Sequence, residues 1–152
     1  MRTRIRILSL AIIVLVVEAV SIAGDTPRII MEGVGWDRFT VGANANYLMD
    51  VLGAPDQHSN GRMMKWTKAG LNCLLNDKND AIELRFEKRF KGVTEGGVTF
   101  GMPVAQVRKI YGDAEKLDWR GGGMKLIWPQ RGILIWFHKN SVYQIVVFKP
   151  QP

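Results

Sequence analysis

Two glycine-bracketed segments constrain this chain more than anything else in it. They are Gly101-Met102-Pro103-Val104-Ala105-Gln106-Val107-Arg108-Lys109-Ile110-Tyr111-Gly112 and Gly42-Ala43-Asn44-Ala45-Asn46-Tyr47-Leu48-Met49-Asp50-Val51-Leu52-Gly53. At an offset of 59 residues, glycine meets glycine at both ends, and Ala45, Leu48, Val51 and Leu52 fall on Val104, Val107, Ile110 and Tyr111. That spacing puts one apolar stripe on one face of a helix. Asn44 has the short polar side chain of an N-cap, and Pro103 suits a first helical turn. Gly53 and Gly112 stand where a helix stops on a residue free of the Cβ penalty, and Ala54-Pro55 reinforces the first stop.

Past the helices the correspondence continues at an offset of 62: Gly61, Trp66, Gly70 and Leu71 fall on Gly123, Trp128, Gly132 and Ile133. Three residues separate Trp from Gly in both copies, Thr67-Lys68-Ala69 and Pro129-Gln130-Arg131. The pattern predicts a hairpin with strands near 62–67 and 71–76, and another near 124–129 and 133–138. Turn residues follow at 76–80 and 139–141, and the copies close with strands Ala81 to Phe86 and Val142 to Phe148. Asp56–Ser59 and Glu115–Trp119 add a further strand on the near side. The expected fold class is therefore α+β, with two tandem units, each a short helix followed by a three- or four-stranded antiparallel meander. A signal peptide (1–23) and a leader (24–35) precede the first unit (36–88), and a charged linker (89–97) joins it to the second (98–150). A unit of about 60 residues is marginal alone, which is a physical reason for two to share a core.

The amino terminus carries Arg2, Arg4 and Arg6, a mostly apolar run from Ile7 to Val17, and small residues at Ser21 and Ala23. These are the parts of a secretory signal peptide cut after Ala23, and the 11-residue run is short of the roughly 20 that a spanning helix needs. The expected location is extracytoplasmic, periplasmic or secreted, with membrane attachment only if the signal stays uncleaved. Removing it takes the formal net charge from +7 to about +5, a modest basic excess that favours an acidic neighbour. Secretion argues against nucleic acid as a partner. Cys73 is the only cysteine, so no intramolecular disulfide can form, and its alternation with Leu71 and Leu75 reads as a buried core thiol.

A helix bracketed by Gly101-Met102 and Tyr111-Gly112, followed by a glycine hairpin and a tryptophan-bearing strand at Gly123 and Trp128, resembles a known pattern. It is similar to the SmpA/OmlA outer-membrane proteins and to the tandem-repeat β-lactamase inhibitor protein group, which share an αβ unit. The first copy is looser: Ala43 replaces the methionine, while Gly53-Ala54-Pro55 and Trp66 are kept. The resemblance implies an extracytoplasmic binding or assembly module without catalysis. The lipoprotein cysteine of the first group and the disulfides of the second are missing, and no functional residue carries over.

The chain has few groups with which to do chemistry. His58 lies in a polar loop and His138 at a strand end, at non-matching places in the two copies. Asp77/Asp80 and Glu115/Asp118 read as turn or strand-edge carboxylates. Gly121-Gly122-Gly123 joins strand to strand, whereas a phosphate cradle leads from strand to helix. No catalytic residue, metal ligand or cofactor site is expected.

Strand alternation supplies the one functional signal. With Leu71, Cys73 and Leu75 inward, Ile133, Ile135 and Phe137 are inward too. Likewise Ile82, Leu84 and Phe86 point in with Ile145 and Val147. The other face then carries Asn72, Leu74, Asn76, Glu83 and Arg85 in the first copy. In the second it carries His138 and Gln144 together with six others, Lys125, Ile127, Leu134, Trp136, Val146 and Phe148. An apolar sheet face must be covered, by the first unit, the leader, a second copy of the chain or a partner. The expectation is a non-catalytic module that docks an extracytoplasmic protein on these six residues, with Trp136 and Phe148 as anchors. The alternatives are a hydrolase with its site between the units and a basic module for anionic cell-surface polymer.

Overall fold

Strands account for most of the regular secondary structure among the described residues, where the α-helices are two pieces of eight residues each, α1 (Ala45–Leu52) and α2 (Val104–Tyr111). The computed structural model describes residues 27–59, 61–119 and 123–152. The expected signal peptide (1–23) and the glycines of the hairpin tip, Gly121 and Gly122, lie outside the described residues.

Near the amino end, β1 (Arg28–Ile30) is followed by β2 (Gly35–Trp36) and β3 (Phe39–Thr40), which pair as a small hairpin. After α1 come β4 (Gln57–Ser59), β5 (Met63–Trp66), β6 (Leu71–Leu75) and β7 (Ala81–Glu87). A single 3-10 turn at Lys88–Phe90 leads into β8 (Gly92–Thr94), which lies parallel to β1. After α2 come β9 (Glu115–Trp119), β10 (Gly123–Trp128), β11 (Ile133–His138) and β12 (Ser141–Phe148).

The expected α+β fold of two tandem helix-plus-meander units is overturned by one pairing. Strand β7 runs antiparallel to β12, Gln144 opposite Glu87 through to Phe148 opposite Glu83. The result is a single eight-stranded antiparallel sheet in the order β4-β5-β6-β7-β12-β11-β10-β9, and a mostly β protein. The physical reason is edge satisfaction. The last strand of each half ends with an open row of N–H and C=O groups, and each row completes the other. Once joined, the inward side chains of all the long strands merge into one cluster, from Met64 and Trp66 through Leu84 and Ile145 to Leu126 and Trp128.

One face of the sheet holds that cluster, and both helices contribute to it. Ala45 and Leu48 of α1 and Val107 and Tyr111 of α2 are buried in it, as are Ile30, Phe39, Phe90 and Val98 from the short connecting pieces. Phe39 packs edge-on against Trp66 and Phe86 (ring centroids 6.0 and 5.7 Å), and Phe90 stacks at 4.9 Å from Phe86. Segment 89–97 thus does more than connect, since Phe90 is fully buried and β8 pairs with β1.

The helix ends follow the sequence signals. Asn44 caps α1, its side chain accepting from the Asn46 N–H at 3.1 Å, and Gly53 (φ 81°) and Gly112 (φ 78°) close the two helices. Pro103 sits at the N-cap of α2 rather than inside its first turn. Each helix is tied to the start of a central strand by a reciprocal backbone pair. Gly42 N–H donates to Ala81 C=O and Ala81 N–H to Ala43 C=O (2.8 and 2.9 Å). Gly101 N–H likewise donates to Val142 C=O and Val142 N–H to Met102 C=O (2.8 and 3.0 Å).

Alternation fails at one inward assignment. The pairing of β6 with β7 slips between Leu74 and Leu75, so that Leu75 faces Ala81. Ile82 is the extra residue and stands 43% exposed, while Ala81 takes the buried place. A bulge adds one residue to one strand and resets the faces beyond it.

One core implies one transition. Leu84 lies fully buried in β7, beside the seam with β12. Leu84→Ala is expected to cost about 2–5 kcal/mol and to lower the unfolding midpoints seen by tryptophan fluorescence and by far-UV circular dichroism equally. Two separated midpoints in the unmodified chain would show instead that its halves unfold independently.

Candidate functional site

The face opposite the helices carries a group of apolar side chains outside the core cluster. Antiparallel partners project to the same side, so the register defines rows across the sheet. One row runs Ile127–Leu134–Val146–Arg85–Asn72–Lys65. A second runs Lys125–Trp136–Gln144–Glu87, and a third Phe148–Glu83–Leu74–Met63. All six residues expected to form the docking surface therefore share one face. Ile127, Leu134, Trp136, Phe148 and Lys125 are half-buried, while Val146 at the centre is only 2% exposed. Val146 is buried yet stands outside the core cluster, because its neighbours belong to this second face.

Charge and aromatic contacts organise the patch. The Lys125 ammonium sits 5.0 Å from the centroid of the Trp136 ring, a cation–π distance. Tyr143 lies 6.4 Å from Trp136 and 6.3 Å from His138, ring to ring. Sequence reasoning missed Tyr143. It reaches this face because the β11–β12 register shifts at Trp136/Phe137, so that both Tyr143 and Gln144 lie against Trp136. The sequence carried one trace of that bulge: Val142–Phe148 is one residue longer than its counterpart Ala81–Phe86.

Across the β7–β12 seam the same face turns polar. Arg85 donates to Glu83 Oε2 from Nε (3.1 Å) and Nη2 (2.7 Å), and Asn72 Nδ2 donates to Glu87 Oε1 at 2.7 Å. These groups satisfy one another, so the polar half is self-sufficient and the apolar half is not.

A second feature lies at the far end of the sheet. An open cleft of about 620 Å³ separates the end of α2 from the β10–β11 turn, walled by Tyr111, Ala114, Glu115, Trp128, Pro129 and Arg131. Its inner wall is a packed cluster: the Tyr111 and Trp128 rings are 5.1 Å apart, and the Arg131 guanidinium lies 5.2 Å from the Tyr111 centroid. Arg131 also donates to Glu32 Oε2 at 3.2 Å, and Tyr111 donates its hydroxyl to Thr94 Oγ1 at 2.5 Å. Burial pushes the Tyr111 phenol well above its ordinary value of 10.0, and the Glu32 carboxylate adds to the shift.

The remaining candidates are not brought together. His58 is exposed on β4 and His138 is exposed at the end of β11, five places apart in the sheet order. Among the described residues, no group of three or more His, Cys, Asp or Glu is placed to hold a metal ion. No described helix is long and apolar enough to cross a membrane. Cys73 is buried in the core, and burial pushes its thiol up to about 12. No protein-family model, no curated protein and no solved structure matches this chain.

The two raised values set an alkaline limit on stability. Above the ordinary thiol value of 9.0 the unfolded chain ionises Cys73 while the folded chain keeps it protonated, so the folded state binds more protons. Stability therefore falls as pH rises from 9.0 toward about 12, and Tyr111 acts in the same direction above 10.0. Unfolding measured by urea across this range is expected to show that decline, and Cys73→Ala and Tyr111→Phe each to flatten it. A flat profile in the unmodified chain would contradict the burial of both groups.

Proposed function

We propose that this protein is a non-catalytic, extracytoplasmic binding module that docks a protein partner through the outer face of β10, β11 and β12. The observation that carries this reading is the apolar row Ile127–Leu134–Val146 with Trp136 and Phe148 beside it, on the sheet face opposite both helices and outside the core cluster. The extracytoplasmic part rests on the signal-peptide pattern of residues 1–23 and on the resemblance noted above.

Interfaces concentrate their binding energy in a few aromatic and aliphatic anchors at a desolvated centre, with polar groups around them. Here Trp136 is the aromatic anchor, Val146 the sealed centre, and Leu134 and Ile127 the apolar shoulder. Lys125 is placed against the Trp136 ring, and Lys139 and Lys149 are exposed just beyond the ends of β11 and β12. The cationic rim favours a partner with an apolar projection flanked by acidic side chains. A second copy of the chain is a poorer occupant, because like-charged rims would meet.

Trp136→Asp tests this. The variant is expected to keep its fold, with little change in thermal midpoint, because Trp136 lies outside the core cluster. It is expected to weaken partner binding by about 30-fold or more, as loss of an interface anchor does. A photo-crosslinker at Leu134 should capture a protein from the native extracytoplasmic fraction, and the same group on exposed Ala105 of α2 should not. If the folded variant keeps the same crosslinked product, the docking surface is elsewhere. If purified protein crosslinks only to itself, the occupant is a second copy and the partner reading fails.

A further inference from the structure

We propose that the cleft beside β9 binds an extended, basic peptide segment, added to the free edge of the sheet with a lysine or arginine side chain at the cleft mouth. At the corresponding place at the other end of the sheet, the chain closes the same seam itself. There, Trp66 Nε1 donates to the Gly53 carbonyl at 2.9 Å. The Asp56 carboxylate accepts from both the Thr67 N–H (2.7 Å) and the Thr67 hydroxyl (2.5 Å). These bonds clasp the link after α1 onto the β5–β6 turn.

The strand register identifies the matching residues at the β9 end. Gln57 faces Lys65 as Glu115 faces Ile127, so Asp56 corresponds to Ala114 and Thr67 to Pro129. Both partners of the clasp are lost at once. Alanine has no carboxylate, and proline has neither an N–H nor a hydroxyl. The seam stands open as the cleft of about 620 Å³, within the size range of ligand sites. Trp128, only 6% exposed and part of the cleft wall, has a buried Nε1–H with no acceptor among the described residues. The open seam thus keeps a buried, unsatisfied donor in its wall.

Three properties fix the chemistry of the occupant. Strand β9 is last in the sheet order and has no neighbour on its far side among the described residues. Its main-chain groups can therefore pair with an added strand. Asp113 and Glu115 are both exposed at the mouth, and neither makes an ion pair among the described residues, whereas the Arg131 charge is already met by Glu32. The mouth is thus an acidic spot on a chain of formal net charge +7, and it selects a cation over an anion. Together, a free strand edge and two carboxylates fit an extended basic peptide. This site is reached independently of the docking face, which it meets only at Ile127.

The test titrates the full chain, by nuclear magnetic resonance, with a capped pentapeptide alternating valine and lysine, and with its counterpart bearing glutamate. The lysine peptide is expected to shift the Trp128 indole N–H and the β9 amides, and to bind at least tenfold more tightly than the glutamate peptide. Glu115→Gln should weaken it about threefold or more. The double variant Ala114→Asp with Pro129→Thr, which returns the carboxylate together with its N–H and hydroxyl donors, should close the seam and weaken it further. Trp136→Asp should leave it unchanged. Equal binding of the two peptides, or shifts confined to Trp136 and its neighbours, would overturn the proposal, as would no shift at millimolar peptide. Loss of binding in Trp136→Asp alone would assign the peptide to the docking face instead.

Discussion

The pairing of β7 with β12 is the interaction on which the rest depends. Each strand is the last of its half, each presents an apolar row inward, and neither has another partner for that edge. Joining them satisfies two rows of backbone groups and brings Leu84 and Phe86 beside Ile145 and Val147. Without the seam there would be two small sheets, each with a thin core over a single eight-residue helix. With it, one cluster extends from Met64 to Trp128, and the short pieces around Phe39 and Phe90 have a surface to cover.

The seam also sets what the other face can do. Arg85, Glu83, Asn72 and Glu87 lie on its β7 side, hydrogen-bonded among themselves. Val146, Leu134 and Ile127 lie beyond it, in the same row as Arg85 and Asn72. A single row therefore passes from satisfied polar groups to apolar ones. For the partner proposed above, that gradient would supply an orientation as well as a landing place: apolar contact on one side and fixed polar groups on the other.

The two ends of the sheet differ for an equally local reason. At one end a carboxylate and a threonine close the turn against the strand; at the other, alanine and proline stand in their places and the seam stays apart. A clasp of this kind needs both donor and acceptor, so the loss of either side chain would undo it, and here both are gone. Beneath the open seam Tyr111, Trp128 and Arg131 pack on one another, the two rings tilted at 59°.

Local features were legible in the sequence because they depend on neighbours along the chain. The glycine brackets and the Asn44 cap marked both helices, and the Trp-to-Gly turns marked the hairpins. Alternation put Lys125, Ile127, Leu134, Trp136, Val146 and Phe148 on one face, since a period of two fixes sidedness without any tertiary information. Strand order was not legible. Nothing in Ala81–Glu87 states that its free edge meets Ser141–Phe148, some 60 residues away, so one mostly β sheet read as two tandem units. The bulge that turns Ile82 outward was hidden for the same reason, and the one at Tyr143 showed only as the extra residue of Val142–Phe148 over Ala81–Phe86: a bulge takes its place only in the register between two strands. The cleft was hidden as well, because Ala114 and Pro129 become a missing clasp only when folding sets them opposite each other. Composition and periodicity decided which residues are inside; the long-range pairing of backbone edges decided which surfaces remain to be used.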